Sequence, residues 1–335
     1  MKIKKIAVAL IIAVVAGVVG VIWVGQIQPN KYTGNIEKVR LGVYLGEFSS
    51  LIYIAQHQNF FKGYGLDVTL TERETGVLTT NDLFSDRVDV AMGGEFVFVP
   101  LSFQRSDFKI LGAIATTNSL EVIARKDRGI GQPSDLKGKK IGVSRRTQAD
   151  FFLGSFLSFN GILSKEITTV DLKPSALVEA IVNGDIDAAI NFQPFAHLTR
   201  KRLGINGIAW PGQNGRDYYL LIVSSDRFVS THPQIVERLL KALLEAEDFV
   251  QRDPAAAQAI VEQSLHLDHD IVSSTWAKTD FRLRLDQDLL ILMEDEAKWF
   301  MQNKFTDKTT LPNYLDFIYM VGLEKVAPVA VTIIH

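Results

Sequence analysis

Arg40-Leu41-Gly42-Val43 returns one hundred positions later as Lys140-Ile141-Gly142-Val143. Two further segments repeat around this pair in the same order. Val68 and Leu70 reappear as Val170 and Leu172, at an offset of 102, and Val88-Asp89-Val90-Ala91 reappears as Ile186-Asp187-Ala188-Ala189, at 98. Each is a short apolar run of strand length. A single match follows from strand composition alone; three in order at a nearly constant offset indicate two lobes built alike. Outward from Arg40, strands are expected over Arg40–Leu45, Leu66–Leu70 and Val88–Met92. A helical pattern runs from Ser50 to Phe61 and ends at Gly63. Strands separated by helices indicate an α/β fold with a mainly parallel sheet.

The apolar stretches Glu121–Arg125 and Leu220–Val223 are placed where the chain would cross between lobes. After the second crossing the sequence turns helical. Pro233 suits a first helical turn, and Ile235, Leu239, Ala242, Ala246 and Phe249 then share one face. Asp253-Pro254 opens another helix and Leu285–Phe300 a third, all expected to return to the first lobe. This gives lobe 1 as 38–122 with 222–335, and lobe 2 as 123–221.

The chain has 335 residues, of which 47% are apolar and 22% charged, an ordinary globular balance that can bury a sizeable core. A net charge of −2 gives no footprint for nucleic acid. The absence of cysteine excludes thiol catalysis, disulfides, Cys-ligated zinc and a lipoprotein anchor. No metal site is expected from the six histidines, which lack H-E-x-x-H spacing; His266 and His269 read as part of a solvated face. No G-x-S-x-G or phosphate-binding glycine loop occurs, no catalytic residue is assigned, and no cofactor is implied.

At the N-terminus, Lys2, Lys4 and Lys5 precede Ile6–Gly25, twenty residues without a charge. This run reads as a signal peptide or, being long and lacking a clean cleavage motif, as a retained membrane anchor over residues 1–30. Setting the three lysines aside leaves 33 basic residues against 38 acidic ones, a part expected to lie in the periplasm or at the outer face of the cytoplasmic membrane.

Several motifs resemble a known family. They begin at Ala55 and continue through Asn59-Phe60-Phe61-Lys62-Gly63-Tyr64-Gly65-Leu66-Asp67-Val68, with Asn59 where the family usually has Gly. Asp89-Val90-Ala91-Met92-Gly93-Gly94-Glu95 and Ser134-Asp135-Leu136-Lys137-Gly138-Lys139-Lys140-Ile141-Gly142-Val143 follow. Gly184-Asp185-Ile186-Asp187-Ala188-Ala189 and Arg284-Leu285-Asp286-Gln287 with Glu294–Trp299 complete the set. Across roughly 38–305 the chain resembles the nitrate/sulfonate/taurine and thiamine-pyrimidine class of ABC solute-binding proteins. That resemblance implies a type II periplasmic-binding fold, with two lobes, two crossover strands and a ligand cleft between them. It also implies a small-molecule ligand and partnership with ABC permease and ATPase subunits.

Ligands of open α/β sheets sit beyond the carboxyl ends of strands, where helices present free N–H groups. Four strand-to-helix turns qualify: Gly46–Ser50, Gly93–Phe96, Ser144–Gln148 and Asn191–Pro194. They fall at equivalent places in the repeat and so should face one another. Gly94 would let backbone approach a ligand, or simply form a tight turn. Ser49 and Thr147 are candidates both for ligand contact and for helix capping. Arg145 and Arg146 would clamp an anionic group, or stand solvated. Glu47 and Glu95 suit a ligand bearing N–H donors, or are solvated helix starts. Phe48 and Phe96, with Phe192 beside them, would stack on a flat ligand, or belong to the core. Asn118, Asn191 and Gln193 complete the candidates. The function expected is extracytoplasmic binding of a small organic solute, either a sulfonate, taurine or pyrimidine-like molecule, for an ABC importer. The alternatives are a nitrate-type anion binder, a sensory ectodomain, or an enzyme on the same fold.

Overall fold

The computed structural model describes residues 32–334. The expected signal peptide or anchor over 1–30 lies outside them. Among the described residues no helix is long and apolar enough to cross a membrane.

The first sheet is built on β1 (Glu37–Tyr44), β2 (Leu66–Arg73) and β3 (Val90–Gly94), with β1 parallel to both neighbours. β4 (Phe108–Thr117) follows, and the sheet is completed later by β10 (Tyr218–Ser225) and β11 (Thr279–Asp280), giving the order β11-β4-β10-β3-β1-β2. The second sheet contains β5 (Glu121–Arg125), β6 (Lys140–Val143), β7 (Thr168–Asp171), β8 (Ala188–Asn191) and β9 (Gly207–Pro211), in the order β7-β6-β8-β5-β9.

The repeat read from the sequence is a repeat of hydrogen bonding. Gly42 pairs with Ala91 of β3, and Gly142 pairs with Ala189 of β8. The carboxylate of Asp89 accepts from the Arg40 backbone N–H at 2.8 Å, and that of Asp187 from the Lys140 N–H at 2.9 Å. One match needs correcting. Gly42 lies opposite Thr71, whereas Gly142 lies opposite Val170, so the partner of Val170 is Thr71 and not Val68. Apolar identity had favoured the buried Val68, but register is set by backbone pairing.

The expected Ser50–Phe61 helix divides into Ser50–His57 and Phe60–Gly63. Asn59 breaks it in the left-handed region at φ 60°, a conformation that glycine and asparagine tolerate best. That accounts for Asn59 standing where glycine is usual.

The chain passes between sheets over Asn118–Leu120 and back over Gly212–Asp217. β5 and β10, the stretches expected to make the crossings, are the strands these segments lead into. Gln213, fully buried, staples the two passages together. Its Oε1 accepts from the Leu120 N–H at 2.8 Å, and its Nε2 donates to the carbonyls of Thr117 at 2.9 Å and Arg216 at 2.8 Å.

The later helices, Pro233–Arg252, Pro254–Leu265 and Gln287–Gln302, pack on the first sheet's lobe. The first of them buries Ile235, Leu239, Ala242 and Ala246, the face its periodicity marks, while Phe249 is partly buried. One apolar cluster runs through this lobe and continues into the second through Phe151 and Phe152.

Candidate functional site

Between the lobes lies a cavity of about 460 Å³. All four turns singled out in the sequence reach it: Phe48 from the first, Gly94 and Phe96 from the second, Ser144 and Arg146–Gln148 from the third, and Phe192 from the fourth. The reason is topological. Each turn follows a central parallel strand or opens the next helix, so the repeat directs both pairs toward the same gap.

Other lining residues were not anticipated. Glu74–Val77, at the start of the helix Gly76–Phe84, form one side with Thr80 and Asn81. Tyr44 and Tyr218 stand near Phe48, whose ring lies 6.4 Å from Tyr44 and 6.0 Å edge-on from Tyr218. From the second lobe come Pro174 and Phe195. Among the described lining residues only Glu74 and Arg146 carry a charge, and both are exposed, one on each lobe. Arg146 holds its guanidinium 5.4 Å from the Phe305 ring centre.

The remaining candidates occupy other positions. Arg145 is exposed and turns to Asp150, at 3.2 Å. Glu47 is buried outside the lining; its Oε1 accepts from Thr275 Oγ1 at 2.8 Å, and burial raises its carboxyl above the usual range. Neither capping reading holds. Ser49 and Thr147 stand at helix N-caps without bonding the helix. Ser49 Oγ donates to the Tyr44 carbonyl and Thr147 Oγ1 to that of Ser144. Asn118 donates to the Arg216 carbonyl and so braces the crossing. Asn191 is buried, donating to the Pro174 carbonyl and accepting from the Phe192 N–H. Gln193, also buried, accepts from the His197 N–H.

Glu95 is the most constrained of the set. It is fully buried, not a solvated helix start. Its Oε1 accepts from Gln148 Nε2, across the cleft, at 2.6 Å, and its Oε2 accepts from the Tyr219 N–H at 2.9 Å. Burial, only partly offset by these donors, pushes its carboxyl up to about 7. Glu296 of the helix Gln287–Gln302 is buried beside it and held well above the ordinary range, first by burial and then by the charge of Glu95. Two such carboxyls share a proton more readily than both ionise. No sequence signal pairs residues two hundred positions apart, so Glu296 was missed. Gly94 makes the approach possible, since a Cβ there would lie 2.9 Å from Gln148 Oε1. Trp299 packs on Phe96 of its own lobe, with centroids 5.8 Å apart, and on Phe151 of the other, at 5.7 Å.

A family model described as NMT1/THI5 like matches residues 49–257, more than half of the chain. The chain belongs to this family. Among relatives, a Brucella abortus protein named only as a binding protein is 26% identical over 239 residues, covering 69% of this chain and 72% of its own. The 4-amino-5-hydroxymethyl-2-methylpyrimidine phosphate synthase of Aspergillus parasiticus is 28% identical over 222 residues, covering 62% of this chain and 64% of its own. The crystal structure of the periplasmic aliphatic sulphonate binding protein SsuA from Escherichia coli superposes with a TM-score of 0.71 at 16% identity. That superposition covers 84% of this chain and 99% of the other. The fold is the periplasmic-binding-protein fold anticipated from the motifs.

Proposed function

We propose that this chain is the extracytoplasmic solute-binding component of an ABC importer, delivering a small organic solute to permease and ATPase subunits. The observation that carries this reading is the cavity itself. It is walled by both lobes and bridged by Gln148 and Glu95, so a bound solute would favour the closed arrangement. The likeness to a sulphonate binding protein supports a sulfonate or taurine as solute, and the family's synthase a pyrimidine-like one. An organic solute fits better than nitrate, because the inner wall offers rings and neutral polar groups in place of buried positive charge. Among the described residues the lining holds neither Cys nor His, so these offer no thiol or imidazole for covalent or acid–base chemistry.

The test combines calorimetry over sulfonates, taurine, pyrimidines and nitrate with small-angle scattering and recovery of the solute. Binding with compaction, the solute recovered unchanged, and stimulation of a co-reconstituted permease–ATPase are expected. Chemical conversion of the solute would overturn the reading in favour of an enzyme.

A further inference from the structure

The inner wall of the cleft is unusual for a receptor of small ions. Phe48, Phe96 and Tyr218 belong to the buried core and line it from one lobe with little of their surface free, and the partly buried Phe192, Phe195 and Pro174 line it from the other. The polar groups among them are neutral, and several are already engaged. Ser144 Oγ donates to the Leu172 carbonyl, Thr147 Oγ1 to the Ser144 carbonyl, and Gln148 Nε2 to Glu95. The buried carboxyls of Glu47 and Glu95 stand outside the lining. The two charged lining residues are both exposed, at Glu74 and Arg146.

A small hydrated ion entering this space would lose water without gaining a buried counter-charge. A flat apolar body would gain area chiefly on Phe192, Phe195 and Pro174 of the second lobe, while the first lobe adds the small exposed parts of Phe48, Phe96 and Tyr218. A volume of about 460 Å³ is that of a site for a molecule of many heavy atoms, far above the needs of nitrate or taurine.

We propose that the cleft selects a ring-bodied organic solute of at most one charge. Its rings lie between Phe48 and Phe96 on one lobe and Phe192 and Phe195 on the other, with any ionised group kept at the mouth beside Arg146 or Glu74. This rests on the solute-binding reading above and narrows it to a chemical class. Small inorganic anions and short zwitterions are excluded by the neutrality of the inner wall.

The test uses matched probes with the full chain in calorimetry: 2-naphthalenesulfonate against ethanesulfonate, and 2-naphthoate against acetate, with taurine and nitrate alongside. In at least one pair, the ring compound should bind about a hundredfold tighter or better. Phe192→Ala should weaken ring binding about tenfold. Phe195→Leu, a milder change at a half-buried position, should act in the same direction, and thermal unfolding checks that both variants are folded. Arg146→Gln should cost less than about fivefold, as befits an exposed charge. Taurine, nitrate or ethanesulfonate binding as tightly as the ring compounds would overturn the class and leave the solute-binding reading standing. If neither these probes nor the pyrimidines of the wider panel bound, both would fall.

Discussion

Replacing Glu296 by Gln should change how stability depends on pH, and in a direction set by burial. Glu95 is pushed up to about 7 in the folded protein, against about 4.5 for an unhindered glutamate. Below 4.5 the folded and unfolded chains both hold this proton, so Glu95 contributes no pH dependence. Between 4.5 and 7 the unfolded chain releases the proton while the folded chain keeps it, so stability falls as pH rises. Above 7 the loss is complete, at about 3 kcal/mol for Glu95 alone. Glu296, also held well above the ordinary range by burial, adds a fall of the same sign. Carboxylates held low by ion pairs, such as Asp82 and Asp280, contribute in the opposite sense, but only as pH falls below the usual carboxylate range. Glu296→Gln removes the second raised carboxyl, while a neutral amide can still donate to Glu95. Burial still holds the Glu95 carboxyl up, so its own fall between 4.5 and 7 should remain, while the part that Glu296 adds should go and the overall slope between pH 5 and 8 should flatten. Urea unfolding at half-unit pH steps, followed by tryptophan fluorescence, measures both proteins. Wild-type stability that is flat or rising relative to the variant across that window would refute the shared proton.

Three further substitutions probe the frame around the site. Gly142→Ala places a methyl 2.5 Å from Leu177 Cδ2 and 2.6 Å from Ile186 Cδ1, so overpacking should cost about 1–3 kcal/mol in denaturant unfolding. Gln213→Ala leaves the buried Leu120 N–H and Thr117 carbonyl without their partner and should cost about 3 kcal/mol, read from the same unfolding midpoint. Gln148→Leu keeps the side chain's size but removes the cross-cleft donor to Glu95. Scattering should show a more open average shape, and solute affinity should weaken by about 2 kcal/mol.

Much of this arrangement could be read from the sequence, because the repeat fixes which turns face the gap. Gly42 and Gly142 mark equivalent strands, and Asp89 and Asp187 tie each third strand to its first by the same backbone bond. Such local, repeated chemistry survives in a linear pattern. The wall formed by Glu74–Val77 did not, since β2 runs on to Arg73 while its apolar signal stops at Leu70. As an edge strand it carries Thr71, Glu72 and Arg73 without a burial pattern. Charge was the other blind spot. A glutamate at a helix start is solvated by default, and only the distant Glu296, Gln148 and Thr275 decide that Glu95 and Glu47 are buried.

The placement of Glu95 joins the fold to the proposed binding event. It lies at the first turn of a helix in one lobe, accepts from the strand that has just returned from the crossing, and accepts again from the opposite lobe. Gln148 lines the cavity and makes that last bond. A ligand held against Gln148 therefore acts on the same side chain that links the lobes. Binding energy can shift the equilibrium only through contacts that differ between open and closed states. The Gln148–Glu95 bond and the Phe151–Trp299 packing reach from one lobe to the other, as contacts of that kind must. Ligand contacts confined to one lobe would raise affinity without favouring closure. Contacts from both lobes, such as those Phe96 and Phe192 are placed to make, would favour it.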